Sequence, residues 1–202
     1  MKKCILILFS VSFLVNVSFS QDPQFSQFYA NKLYLAPSFT GATEHNRVSL
    51  NHRNQWPSLP GGAFLTYSFS FDKYFANFNS GVGFLITHDR AGTGHLSNTN
   101  VGILYSYDIQ INREWHVRPG VNFMYTQRGL DFSRLIFSDQ ISASGNSGSS
   151  VLEVPPFDNA GDIDFSTSAL LYSNKIWVGT TLDHLLRPEQ SLYDQASVMS
   201  SL

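Results

Sequence analysis

Across the runs 63–72, 81–89, 98–110 and 115–128, apolar and polar residues alternate with a period of two, and Lys and Glu are absent from all four. That period is the signature of a strand, whose successive side chains leave on opposite faces. In 63–72, Leu65, Tyr67, Phe69 and Phe71 share one face, and Thr66, Ser68, Ser70 and Asp72 the other. In 81–89, Val82, Phe84 and Ile86 oppose Gly81, Gly83, Leu85 and Thr87. In 98–110, Val101, Ile103, Tyr105, Tyr107 and Ile109 oppose Asn100, Gly102, Ser106, Asp108 and Gln110. In 115–128, Trp115, Val117, Val121, Phe123 and Tyr125 oppose His116, Arg118, Gly120, Asn122 and Thr126. A weaker run at 47–56 and two later ones, 162–173 and 176–184, complete a set of seven. The chain reads as all-β and antiparallel.

The runs are mostly 9–14 residues long, against ~5–6 for an ordinary soluble strand. They match the ~9–11 residues with which a tilted strand crosses a bilayer. A soluble sheet shows water its long charged side chains. Here the lysines beyond residue 20 (Lys32, Lys73, Lys175) and the glutamates (Glu44, Glu114, Glu153, Glu189) all fall outside the expected strand interiors. One face is aromatic and aliphatic, suited to lipid. The other is small and hydroxylated, suited to a barrel interior. Closure into a barrel also satisfies every backbone group without water. Tyr67, Phe71, Tyr105, Tyr107, Trp115 and Tyr125 would form the interfacial aromatic girdles. The competing fold is a secreted β-sandwich whose apolar faces meet each other.

The connections sort by parity. After the second, fourth and sixth runs the turns are short: 73–80, 111–114 and 174–175. After the first, third and fifth they are 57–62, 90–97 and the long 129–161. Outer-membrane barrels have short periplasmic turns on one rim and longer loops outside. The start of the chain agrees with that compartment. Lys2 and Lys3 precede an apolar core from Cys4 to Val17, and Ser18-Phe19-Ser20 supplies small residues at a cleavage position. Cys4 stands at the start of the apolar core and not after it, so lipid attachment is not expected. Cleavage before Gln21 removes the only cysteine, leaving no disulfide, thiol nucleophile or cysteine-bound metal. It leaves 11 of the 13 basic residues against 15 acidic, a net charge of −4. With no basic run, nucleic acid is not an expected partner. Beyond the leader no apolar stretch reaches the ~20 residues of a membrane helix.

The search for chemistry yields little. His88, Asp89 and His95 could gather at an outer rim, as could Arg90 and Asp131, but no metal-ligand spacing joins the six histidines. No catalytic, cofactor-binding or metal residues are assigned, no cofactor is expected, and the chain is not read as an enzyme. Gly92 and Gly94 suit a turn with positive φ. The stretch 142–150, SASGNSGSS, reads as a flexible outer segment. Inward Arg53, Asp72, Asp108, Arg118 and Asp164 are expected to neutralise one another across the lumen.

The segment 21–42 is too irregular for a spanning strand, and it is specific. Asp22-Pro23-Gln24-Phe25-Ser26-Gln27-Phe28-Tyr29, followed by Leu35-Ala36-Pro37-Ser38-Phe39-Thr40-Gly41, resembles the opening of the PorP/SprF family of type IX secretion and gliding-motility proteins of Bacteroidetes. The similarity continues through Arg53-Asn54-Gln55-Trp56, Gly81-Val82-Gly83, Asp89-Arg90-Ala91-Gly92, Tyr105-Ser106-Tyr107, Val178-Gly179 and Asp183-His184-Leu185. Ser38 stands where the family often has alanine. The resemblance implies an outer-membrane barrel that aids secretion or surface anchoring. Its implied partners are outer-membrane lipid, periplasmic components of that machinery and surface-exposed cargo proteins. A passive porin is the alternative function. The expected organisation is a signal peptide at 1–20, a periplasmic or plug-like segment at 21–42, and a barrel domain at 43–202. About seven strands are present, where single-chain bacterial barrels have even counts. The barrel is therefore expected to be incomplete, lacking C-terminal strands.

Overall fold

The protein, seen in a computed structural model, is described at residues 25–43, 45–58, 64–92, 94–131, 135, 159–186, 188 and 192. The expected leader and the 142–150 stretch lie outside these residues. The strands are β1 Arg47–Gln55, β2 Phe64–Phe75, β3 Ser80–Ala91, β4 Leu96–Tyr107, β5 Ile109–Gln110, β6 His116–Gly129, β7 Asn159–Tyr172 and β8 Trp177–Leu182. They form one antiparallel sheet in the order β1-β2-β3-β4-β6-β7-β8, with the short β5 pairing the start of β6. The sheet curves into a half-barrel.

Register explains how two sequence periodicities become two surfaces. Leu50, Phe69, Ile86, Val101, Tyr125 and Ile163 face each other in turn across six strands, an unbroken apolar row. One position along, Asn51, Ser68, Thr87, Asn100, Thr126 and Asp162 make an equally continuous polar row. A slip of one residue in any strand would exchange the two rows, so the pattern holds the register. The apolar row faces outward: Leu50 is 77% exposed and Phe123, on the next row, 61%. The polar face is the buried one, with Ser68, Ser70, Asp72, Ser106, Asn122, Thr126, Asp164 and Ser166 all enclosed. This inverts the partition of a water-soluble domain and is the arrangement of a membrane barrel. The buried apolar cluster is small, Leu33, Leu85 and Leu104 with Tyr34 against it.

Three local expectations are corrected. The first short turn is 76–79, not 73–80, because β2 continues through Phe75 and Asn79 reverses the chain in the left-handed region at φ 47°. Lys73 is therefore within a strand. Its stem lies on the outer face near the strand end, with Nζ 5.1 Å from the centre of the Phe75 ring, the usual way a long cation leaves an apolar surface. The run 98–110 breaks at Asp108, so β4 ends at Tyr107 and β5 is separate. In the 92–95 turn Gly92 has φ 68°, as expected, but the second left-handed residue is His95 at φ 46°, not Gly94. Gly94 answers a packing need instead, since a Cβ there would sit 2.7 Å from Leu135 Cδ2.

Candidate functional site

The inner wall is covered by the chain's own N-terminal residues. Residues 25–42 run as a 3-10 turn at Phe28–Ala30, one helical turn at Lys32–Leu35 and a second 3-10 turn at Pro37–Phe39. Pro37 opens its turn, where the missing N–H costs nothing. Hydrogen bonds tie this segment to the wall along its length. Asn31 Nδ2 donates to Ser68 Oγ (2.9 Å), and Ser38 N donates to Ser168 Oγ (2.7 Å). Gly41 N donates to Asp72 Oδ2 (2.7 Å), and Ser106 Oγ donates to the Thr40 carbonyl (2.6 Å). The small hydroxylated residues of β2, β4 and β7 are thus the partners of an irregular backbone that has no ladder of its own.

Two glycines show how close the approach is. A Cβ on Gly81 would lie 2.3 Å from the Thr40 carbonyl oxygen, and one on Gly120 would lie 2.3 Å from Ser38 N. Both positions need a residue without a side chain because another backbone passes over them. Glycine inside a strand was the sequence signal for this contact, and the reading of the residues alone did not use it.

The inward charges pair differently from the sequence expectation. Arg47 Nε, outside the expected set, meets Asp72 Oδ1 at 2.9 Å. Asp108 and Arg118 do pair, with Arg118 Nη2 and Tyr172 OH both donating to Asp108 Oδ2 at 2.6 Å. His116 Nδ1 lies 3.1 Å from the other oxygen and its ring stacks on Tyr172. Burial pushes the Asp108 carboxyl up, but the hydrogen bonds from Tyr172 and Arg118, with the Arg118 charge, outweigh it and hold Asp108 below its ordinary value. Asp164 is fully buried and bonds to His184 Nδ1. Arg53 does not join these pairs: its Nε is buried without a hydrogen-bond partner among the described residues. The expected neutralisation across the lumen is thus corrected to short-range pairs within neighbouring elements.

The considered rim cluster does not form. His88 and Asp89 are consecutive in β3 and leave on opposite faces. His88 Nδ1 pairs with Thr99 Oγ1 (2.9 Å), while Asp89 Oδ1 accepts from Thr66 Oγ1 (2.6 Å). Arg90 is half-buried near the end of β3, beside Leu65 and Ser97. His95 turns the chain toward β4, and Asp131 N donates to the Gly94 carbonyl. Among the described residues no three His, Cys, Asp or Glu side chains gather as a metal site.

Two cavities flank the N-terminal segment. One of about 280 Å³ is lined by Phe25, Tyr34, Met124, Ser166, Asp183 and His184, among others. A second of about 240 Å³ lies at the short-turn end, lined by Phe28, Tyr29, Phe39, Arg118, Leu170 and Trp177, among others. No helix among the described residues is long and apolar enough to cross a membrane. The exposed apolar surface lies on the strands, at Leu50, Ile103, Phe123 and Ile163 among others.

No curated protein and no solved structure matches the chain. One family model does, described as type IX secretion system membrane protein PorP/SprF, and it covers residues 17–202. That span includes the covered inner wall, the apolar outer rows and every described strand. The protein belongs to the PorP/SprF family of type IX secretion system membrane proteins.

Proposed function

We propose that the protein is a noncatalytic outer-membrane component of the type IX machinery, aiding secretion or surface anchoring of proteins and with it gliding motility. In this reading residues 1–20 are removed as a signal, residues 25–42 act as a plug, and the strands from β1 onward form the membrane wall. The observation that carries it is the seating of the N-terminal segment on the inner wall through Asn31, Ser38, Thr40 and Gly41. A diffusion channel needs an open aqueous path, and these contacts occupy the wall that such a path would follow. A secretion component needs a rigid lipid-embedded wall with faces for other proteins, and the family membership supports that role.

Deletion of the gene tests the proposal. The expected result is loss of proteins from the cell surface, with outer-membrane permeability to small solutes unchanged. A fall in solute uptake with normal surface display would overturn the secretion role and establish a porin.

A further inference from the structure

All lysines beyond residue 20 (Lys32, Lys73 and Lys175) belong to one end of the molecule. Lys73 is near the end of β2, Lys175 is in the β7–β8 turn, and Lys32 lines the 240 Å³ cavity beside Tyr172 and Ser173. Arg113, in the β5–β6 turn, joins them. Among the described residues of this short-turn mouth, Glu114 is the carboxylate outside an ion pair, since Asp72 and Asp108 hold Arg47 and Arg118. The mouth is cationic on a chain whose net charge is negative.

The same mouth is apolar at its centre. Phe28 is 56% exposed, Tyr29 61% and Trp177 59%, which leaves aromatic surface uncovered around the cavity. Phe39 and Trp177 meet edge to face at 5.5 Å and form one wall. The buried Arg118 also lines the cavity, and its Nε has no hydrogen-bond partner among the described residues. At about 240 Å³ the space is below the ~300–1,000 Å³ of a drug-sized ligand site and suits one large side chain.

We propose that this mouth docks an acidic peptide segment of a partner protein, one aromatic side chain entering the cavity and flanking carboxylates meeting Lys32 and Lys175. Two features select a peptide over a lipid. The cavity lies on the inner side of the wall, against the N-terminal segment, where acyl chains outside the barrel do not reach. Aromatic anchors in a desolvated pocket, ringed by complementary charge, are the usual energetic centre of a protein interface. The proposal rests on the reading of the protein as a secretion component with periplasmic partners, because that reading turns the short-turn mouth toward the periplasm. The test below measures binding alone, so its failure and a failure of the secretion phenotype are separate results.

The probe is a fluorescein-labelled octapeptide of Asp and Glu around a single Trp, titrated by anisotropy against the full protein extracted from outer membranes into neutral detergent. The expected result is saturable binding that weakens about tenfold or more in a Lys32→Glu/Lys175→Glu double variant, and by a similar factor when Ser replaces the peptide's Trp. Trp177→Ala should weaken it as much. Phe28→Ser, at an exposed position, repeats that test where Trp177→Ala fails to fold. Equal binding of the Trp-free peptide, or no loss in Phe28→Ser, would overturn the pocket. Displacement of the peptide by phosphatidylglycerol micelles, with the same dependence on Lys32 and Lys175, would overturn the peptide in favour of a lipid headgroup site.

Discussion

Gly120 lies directly beneath the point where the N-terminal segment crosses β6. Its missing Cβ is the space through which the backbone of Pro37 and Ser38 passes, and those backbone atoms cannot swing aside as a flexible side chain would. Gly120→Val is predicted to lift the N-terminal segment from the wall, an overpacking cost of ~1–3 kcal/mol or more. The readout is trypsin cleavage after Lys32, which should accelerate about tenfold or more while the heat-modifiable mobility of the barrel is retained; unchanged cleavage would contradict the contact. A second residue-scale prediction concerns acid. The Asp108 carboxyl is held below its ordinary value of 3.8, so its paired, charged form contributes stability above that value. The contribution is lost as pH falls through the lowered pKa. Thermal resistance of the wild type should therefore decline below about pH 4, and Asp108→Asn should be weaker at neutral pH with a shallower acid decline. An identical pH profile in both proteins would remove Asp108 from the account. Asp108 and Arg118 were legible as inward residues from their strand parity. Their union with Tyr172 and His116 was not, because it depends on which strands become neighbours.

The strands themselves were plain in the sequence because lipid and lumen impose opposite demands on alternate residues. Every long run appears as a strand, and the two rows through Phe69 and Ser68 keep the faces that alternation assigns. The strand ends were less legible. Lys73 looks like a turn residue on charge alone, yet a long cation near a strand end keeps its stem on the apolar face and its head at the edge. The break at Asp108 was hidden because Ile109 and Gln110 continue the alternation; only the pairing of Ile109 with Val117 shows a second, shorter strand. A paired substitution tests the faces at this scale. Phe123 lies midway along β6 and outward, so Phe123→Arg should cost ~2–4 kcal/mol by placing a cation in the hydrocarbon. Met124, the next residue, lines the 280 Å³ cavity that Asp183 and His184 share, and Met124→Arg should cost less. The folded fraction of each in the outer membrane, by heat-modifiable mobility, checks this; equal losses would mean the faces are misassigned. Ser68 and Asn122 are not useful inner controls, since at 3% and 6% exposure they have no room for arginine.

For the whole molecule, the half-barrel presents two different problems to a membrane. Its wall is continuous along β2-β3-β4-β6-β7, where each strand is paired on both sides, but among the described residues β1 and β8 each have one neighbour. Unpaired strand groups in hydrocarbon cost several kcal/mol each, so in lipid both edges require a strand partner or cover. Asn51 Nδ2 and Arg53 Nε, buried on the inner face of β1 without a hydrogen-bond partner among the described residues, show the same need from inside. The second problem is the lumen, and the N-terminal segment meets it by covering the polar wall. The irregularity of that segment was legible, but its path was not, because no periodicity records a backbone lying on a sheet. Both claims, lipid outside and the chain's own N-terminus inside, meet in β6. The only cysteine in the sequence is Cys4, so after replacing it, single cysteines at 121, 122, 123 and 125 can be probed without background in intact outer membranes. The decisive measurement is their alkylation by a water-soluble maleimide, which needs a thiol that water reaches. No labelling is predicted at Val121, Asn122, Phe123 or Tyr125 in the intact protein, and labelling at Asn122 alone once residues 25–42 are deleted. Labelling at Phe123 would contradict the membrane wall, and labelling at Asn122 in the intact protein would contradict the covered lumen.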